Sequence, residues 1–266
     1  MAQNIYDQED FFKAYAQLPR SLHGLEKAPE FQVLRSWIPT LEGSNFLDLG
    51  CGFGWMSRWA RENGSKVVQG IDVSENMLSR AKEYPEDATI NYLKADLETL
   101  QLPPNMFHVA YSSLALHYIE NLPALVAQVH KSLKPGGTFI FSVEHPIWTA
   151  PRNPDWIKDA EGHEVWPLDG YLFEGPRTTN WLAEGVVKQH RSITTYIMML
   201  LHAGFILSAI DEWGPTPEQL QEYPNWAGAR ASPSFFTCKS HKAGQLEHLN
   251  QHKSVDSVYV DLLELQ

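Results

Sequence analysis

The sequence predicts an α/β fold, a mostly parallel sheet with helices on both faces, and three observations predict it. Residues 46–54 read F-L-D-L-G-C-G-F-G, so a short apolar strand runs through a glycine turn into a helical stretch over 55–63. From residue 66 to residue 143, apolar runs of strand length alternate with helical runs, as in strands joined by crossover helices. Polar residues close these strands (Asp72, Asp96, Ser112, Glu144), and ligands of open α/β sheets sit at the carboxyl ends.

Composition bounds the function. Hydrophobic residues make up 43% of the 266 positions and charged residues 20%, the balance of a globular protein with a full core. That length suits one large domain, over residues 1–240, better than two enzymatic ones. The net charge of -11 and the lack of a dense Lys/Arg run argue against nucleic acid as a partner. Two cysteines, Cys51 and Cys238, are too few for a disulfide scaffold or a cysteine zinc site and suit a reducing compartment. The N-terminus lacks a basic region followed by an apolar stretch, and no run approaches the roughly 18 apolar residues of a membrane helix. A cytoplasmic protein without a membrane span is expected.

The elements follow in order. Phe11, Phe12, Tyr15 and Leu18 recur at near-helical spacing, so residues 8–19 form an amphipathic helix. With a second helix over 28–37 it makes an N-terminal helical cap, residues 1–40. In the glycine turn, Gly50, Gly52 and Gly54 permit backbone angles closed to other residues and let a ligand lie against bare main chain. A dinucleotide fingerprint places its last glycine at position 55, where Trp55 stands. The strand over 66–72 ends in Asp72, 22 residues beyond Gly50, where a carboxylate can accept from two ribose hydroxyls. Ser74 caps the helix over 75–83, without a full capping box because Met77 holds the third position. Met77 is placed to face a nucleobase.

A third strand, 89–94, leads to Ala95-Asp96-Leu97, where an acid can accept from an adenine amino group and the leucine can pack on the ring. The fourth, 107–112, opens into S-S-L-A-L-H-Y, which puts His117 and Tyr118 on the ligand side. A helix over 122–133 stops at Lys134-Pro135-Gly136-Gly137, and the strand 138–143 ends at Glu144-His145-Pro146.

The ordered set D-L-G-C-G-F-G, G-I-D, A-D-L and S-S-L-A-L-H-Y, with K-P-G-G behind it, covers residues 46–145. It resembles the class I S-adenosylmethionine (SAM) dependent methyltransferases. Within them it is similar to the broad group that includes the ubiquinone and menaquinone C-methyltransferases and many small-molecule N- and O-methyltransferases. The resemblance implies a Rossmann-like sheet of seven strands in the order 3-2-1-4-5-7-6, the last antiparallel. It implies SAM as cofactor, with Gly50, Cys51 and Gly52 in backbone contact, Asp72 on the ribose, Met77, Asp96 and Leu97 at the adenine, and a main-chain contact from Ser112 near the methionine part. Tyr6, Tyr15 and Arg20 would close the site, as N-terminal segments do in small-molecule members.

A helix over 192–203 ended by Gly204, a strand over 205–213 and a strand over 234–240 supply the last two strands. The stretch 145–191 exceeds an ordinary crossover and is rich in aromatic residues, as a substrate lid would be. A hairpin between 166–173 and 186–190 is expected there, with Trp148, Tyr171 and Trp181 joining Tyr15 and Tyr118 around the substrate. A minor hydrophobic core or a homodimer contact is the other role this stretch allows. Residues 213–230 read as a long proline-bearing loop at the pocket edge, and 241–266 as a polar tail closing in a short helix.

Methyl transfer needs a base only when the acceptor keeps a proton, and imidazole, with a pKa of about 6.5, suits that task near neutrality. His117 and His145 are the candidate bases; the alternative is that each orients substrate or satisfies a backbone group. His241, His248 and His252 lack a third ligand at a usual spacing, so no metal is expected. The expected function is transfer of a methyl group from SAM to an N, O or C atom of a small aromatic or heteroaromatic metabolite. A nicotinamide-dependent dehydrogenase, opposed by Trp55, and a SAM-binding regulatory protein without turnover are the alternatives.

Overall fold

A computed structural model describes residues 3–84 and 89–244. The N-terminal segment folds as α1 (Glu9–Ala16), α2 (Pro19–His23) and α3 (Phe31–Trp37). The helix expected over 8–19 stops at Ala16 because Pro19 opens a new helix at its first position, where its missing N–H costs nothing. There follow β1 (Asn45–Leu49), α4 (Trp55–Glu62), β2 (Val67–Asp72), α5 (Glu75–Lys82), β3 (Ile90–Lys94), β4 (Phe107–Ser113), α6 (Leu122–Ser132) and β5 (Leu133–Glu144). The insertion holds α7 (Pro146–Thr149), β6 (Ile157–Lys158), β7 (Glu164–Val165), β8 (Gly175–Thr179) and β9 (Val186–His190). The described residues end with α8 (Ile193–His202), β10 (Phe205–Trp213), α9 (Pro217–Glu222), α10 (Gly228–Ala231) and β11 (Phe235–Lys242).

Seven strands form one sheet in the order β3-β2-β1-β4-β5-β11-β10, with β11 antiparallel to both neighbours, which is the expected order. The central strands are buried on both faces, so successive residues of β1 serve different cores. Phe46 packs with Leu34, Met56 and Ala60 under α3 and α4, whereas Leu47 packs with Leu125, Val129 and Leu200 under α6 and α8. This double burial explains why β1 and β4 read as continuous apolar runs.

Three local expectations are corrected. Strand β5 starts before Lys134-Pro135-Gly136-Gly137, since Leu133 pairs with Phe107 and Thr138 with Val109; the four residues bulge out of the strand, with Gly136 at φ +79. The insertion hairpin pairs β9 with β8, not with 166–173. Residues 213–230 contain helix α9, in which Pro217 sits in the first turn and Thr216 and Gln219 form a capping box. The closing segment of the chain, with His248 and His252, lies outside the described residues.

Candidate active site

The glycine turn takes its shape from bonds made within the chain. Gly50 and Cys51 both donate N–H to the Ile71 carbonyl, at 2.8 and 2.9 Å, and Gly52 donates to Asp72 Oδ2 at 2.8 Å. Gly54 donates to the Cys51 carbonyl at 2.9 Å, and the Gly52 carbonyl takes a long contact from Cys51 Sγ at 4.0 Å, so no backbone N–H among the described residues occupies the carbonyls of Gly50 and Gly52. Beneath the turn, buried Asp48 accepts from Ser57 Oγ at 2.6 Å. Burial raises Asp48 to about 7, against the lowering effect of the Ser57 hydrogen bond.

At the carboxyl ends of β1, β2, β4 and β5 lies a cavity of about 420 Å³, within the usual range for small-molecule sites. One end is lined by Gly50, Gly52, Asp72, Met77, Asp96 and Leu97. Asp72 is held there by the N–H groups of Gly52 and Ser74, at 2.8 and 2.9 Å, and burial raises its pKa despite those bonds. Ser74 caps α5 by accepting from the Met77 N–H at 3.1 Å, which fixes Met77 in the wall.

The other end is aromatic. Tyr6 meets Tyr15 and Tyr118 edge to face, with ring centroids 5.3 and 6.0 Å apart, and Tyr15 meets Trp181 at 6.4 Å. His117 lines the same end, buried, and its Nδ1 accepts from the Glu144 N–H at 3.4 Å. Burial lowers His117 to about 4, so its ring is neutral at physiological pH. Arg20, also in the lining, binds both oxygens of buried Glu30 at 2.7 Å, and Ser113 Oγ donates to Glu30 at 3.1 Å.

A family model described as a methyltransferase domain matches residues 47–141, from β1 through most of β5. The chain is 47% identical to an S-adenosylmethionine dependent methyltransferase of Mesorhizobium loti with a solved structure; the superposition covers 82% of this chain and 100% of that one, with a TM-score of 0.80. The chain belongs to the class I S-adenosylmethionine-dependent methyltransferases. The methyltransferase is also 34% identical to an uncharacterized Haemophilus influenzae protein, over 84% of this chain and 89% of that one. It is 36% identical to the malonyl-[acyl-carrier protein] O-methyltransferase of Serratia marcescens over 100 residues, only 38% of either chain.

The cavity of this methyltransferase fits SAM. A Cβ added at Gly52 would meet nothing within 4 Å, so the turn leaves a crevice against bare backbone. Its carbonyls suit the ammonium group of the methionine part, and Asp72 keeps lone pairs for the ribose. When bound, SAM supplies a methyl carbon on a sulfonium leaving group.

Five of the residues singled out in the sequence stand elsewhere. Ser112 does not line the cavity: it is buried, its Oγ bonded to the Leu49 carbonyl at 2.8 Å, and Ser113, Leu114 and Ala115 form the wall instead. Cys51 is also outside the cavity lining, with both backbone polar groups used in the turn, and burial pushes its thiol well up. His145 is no base there: its Nδ1 accepts from Ile147 N at 3.1 Å to cap α7, and its Nε2 meets Glu212 at 2.9 Å. Trp148 packs with Trp166 and Trp156, centroids 4.1 and 5.8 Å away, in a separate cluster. Tyr171 packs on His190, and its hydroxyl accepts from Ile193 N at 3.2 Å.

The ion pair of Glu144 with Lys188, beside Trp181, was not expected from the sequence. The one available signal was that Glu144, like Asp72, ends a buried strand. Away from the cavity, Asp159, Glu161 and His163 bring ligand atoms within 4.8 Å of one another. Asp159 there accepts N–H groups from Glu161 and His163, at 3.0 and 2.8 Å, which accounts for the grouping.

Proposed function

We propose that this methyltransferase acts on an N, O or C atom of a small aromatic or heteroaromatic molecule. The observation that carries this reading is the box of Tyr6, Tyr15, Tyr118 and Trp181, which shares one cavity with the glycine turn and Asp72. Aromatic pairs contribute about 0.5–1.5 kcal/mol each beyond area burial, enough to select and orient a planar ring. The malonyl-carrier relative matches over only 100 residues, 38% of this chain, so its acceptor chemistry does not transfer with the similarity. The same limit holds for the quinone methyltransferases, whose resemblance rests on residues 46–145. The net charge of -11 also favours a small acceptor over nucleic acid.

The chain's contribution is alignment, which in well-oriented reactions is equivalent to effective concentrations of about 10⁵–10⁸ M. Asp72 would hold the ribose, Met77 and Leu97 would flank the adenine, and Asp96 would accept from its amino group. The aromatic box would hold the acceptor against the methyl group that SAM supplies. Neutral His117, with Nδ1 engaged by the Glu144 N–H, keeps its hydrogen on Nε2 and so orients the acceptor as a donor rather than serving as a base. The test is an acceptor screen that measures S-adenosylhomocysteine formation, with Trp181→Ala alongside. Turnover of ring compounds, with KM raised by the variant, is expected; activity confined to aliphatic acceptors would sink the reading.

A further inference from the structure

Among the described residues that line the cavity, the acids are Asp72, Asp96 and Glu144; Asp72 neighbours Tyr6 and Tyr15, and Glu144 neighbours Tyr118, with its partner Lys188 against Trp181. Two separate elements hold Glu144. Its backbone, at the end of β5, is fixed by the N–H donated to His117 Nδ1. Its side chain is held from the insertion, where Lys188 of β9 donates to Oε1 at 2.5 Å. The Lys188 side chain is only 4% exposed and its Nζ lies 4.8 Å from the centre of the Trp181 ring, whereas Glu144 is 26% exposed and forms cavity wall. The ammonium thus stands behind the carboxylate. Lys188, at Oε1, is the side-chain hydrogen-bond partner of this carboxylate among the described residues, so one oxygen is anchored and the other is available to a ligand.

Given an aromatic acceptor, as proposed above, we infer that Glu144 is the acceptor-binding carboxylate, that Lys188 positions it, and that the acceptor is an aromatic amine whose N–H donates to Glu144. A nitrogen that takes a methyl group gains positive charge, which a carboxylate and the negative faces of aromatic rings both favour. A phenolate formed at the same place would instead face the charge of Glu144. Aliphatic amines are protonated near neutrality and have no lone pair to offer; aromatic amines are neutral.

The step balances. The nitrogen lone pair forms the bond to the methyl carbon, and the pair of the broken carbon–sulfur bond stays on sulfur, which leaves as a neutral thioether. The nitrogen proton passes to Glu144 and then to solvent, so the product is a neutral N-methyl amine. Protonated aromatic amines are about as acidic as carboxylic acids; against the raising effect of burial, Lys188 holds Glu144 below its ordinary value, so the proton stays there only in passage to solvent.

The experiment measures initial rates of S-adenosylhomocysteine formation by the full chain on paired rings: aniline with phenol, aminoindole with hydroxyindole, aminoquinoline with hydroxyquinoline. The amines are expected to be methylated and the matching hydroxyl compounds not. Glu144→Gln lowers kcat/KM on the amine by about 100-fold or more, the scale of a lost proton acceptor, with S-adenosylhomocysteine affinity unchanged. Should that variant lose cofactor binding, Glu144→Gln with Lys188→Met removes both charges and carries the same readout. Around Glu144 stand Lys188 on β9, His117 and Tyr118 after β4, and Tyr196 on α8, with Arg191 near His117. Lys188→Met removes the cation that favours the ionised carboxylate, so the acid limb of the kcat/KM profile moves to higher pH, and Lys188→Arg restores it. Methylation of hydroxyl compounds but not amines overturns the inference and leaves the aromatic acceptor standing. Turnover of no ring compound overturns both. Wild-type kcat/KM for Glu144→Gln on an amine removes Glu144 from the mechanism.

Discussion

Gly52 donates its N–H to Asp72 Oδ2 at 2.8 Å, and this bond ties the glycine turn after β1 to the acid that ends β2. The group proposed to hold the ribose therefore also shapes the turn. Asp72→Asn is not conservative here, because both oxygens accept backbone N–H groups and an amide would point its own N–H₂ at one of them. A lost hydrogen bond to a charged group is worth about 1.5–3 kcal/mol, so S-adenosylhomocysteine affinity should fall about 10- to 100-fold by calorimetry. Unchanged affinity would remove Asp72 from the cofactor contacts.

Gly50 and Gly52 separate stability from binding. Both have positive φ, +71 and +52, so alanine at either costs about 1–2 kcal/mol in backbone strain. At Gly50 a Cβ would also lie 2.4 Å from Ala115 Cβ, whereas at Gly52 it enters open crevice. Thermal unfolding should show Gly50→Ala as the more destabilised variant. Gly52→Ala should fold and lose about tenfold or more in S-adenosylhomocysteine affinity, roughly 1.4 kcal/mol. The reverse ranking would mean that the turn is packed differently.

His145 and His117 should behave oppositely. His145→Ala removes a helix cap, which costs about 1 kcal/mol of stability, and leaves kcat/KM on a turned-over acceptor unchanged. His117→Ala lowers kcat/KM at constant S-adenosylhomocysteine affinity. Equal kinetic losses in the two variants would return His145 to the site.

Asp48 gives a pH signature. Its folded value of about 7 lies above the 3.8 of a free carboxyl, so between them the folded chain binds the extra proton. Stability linked to Asp48 is therefore highest below about pH 4 and falls as pH rises through about 7. His117, lowered to about 4 by burial, contributes the opposite slope between about pH 4 and 6.5, because its neutral form is the folded one. Comparing wild type with Asp48→Asn isolates the first effect. Urea unfolding should show the variant gaining on wild type by up to roughly 4 kcal/mol from about pH 4 to 7.5. A difference independent of pH would place Asp48 at an ordinary carboxylate value.

The sheet was legible because its central strands are buried on both faces and β2 and β5 end in acids, a pattern local enough to read along Asn45–Leu49 and Val67–Asp72. The insertion was not. Residues 166–173 carry the aromatic content of a strand, but Trp166 packs on Trp148 while β8, with Gly175 and Pro176, takes the edge. Proline misled again at Pro217, which opens a helix rather than interrupting one. At the site, the contacts of Asp72 follow from strand and turn, whereas the pairing of Glu144 with Lys188 joins residues 44 apart through the hairpin register, which no local pattern encodes. His145 drew attention for its chemistry, but its Nδ1 is spent capping a helix only one turn long.

The most direct test is calorimetric titration of the whole chain with S-adenosylhomocysteine, with NADH as competing ligand and Asp72→Ala as control. Micromolar binding of S-adenosylhomocysteine, lost in Asp72→Ala and absent for NADH, is the predicted result. Binding of NADH alone would contradict it and make the glycine turn a variant dinucleotide site.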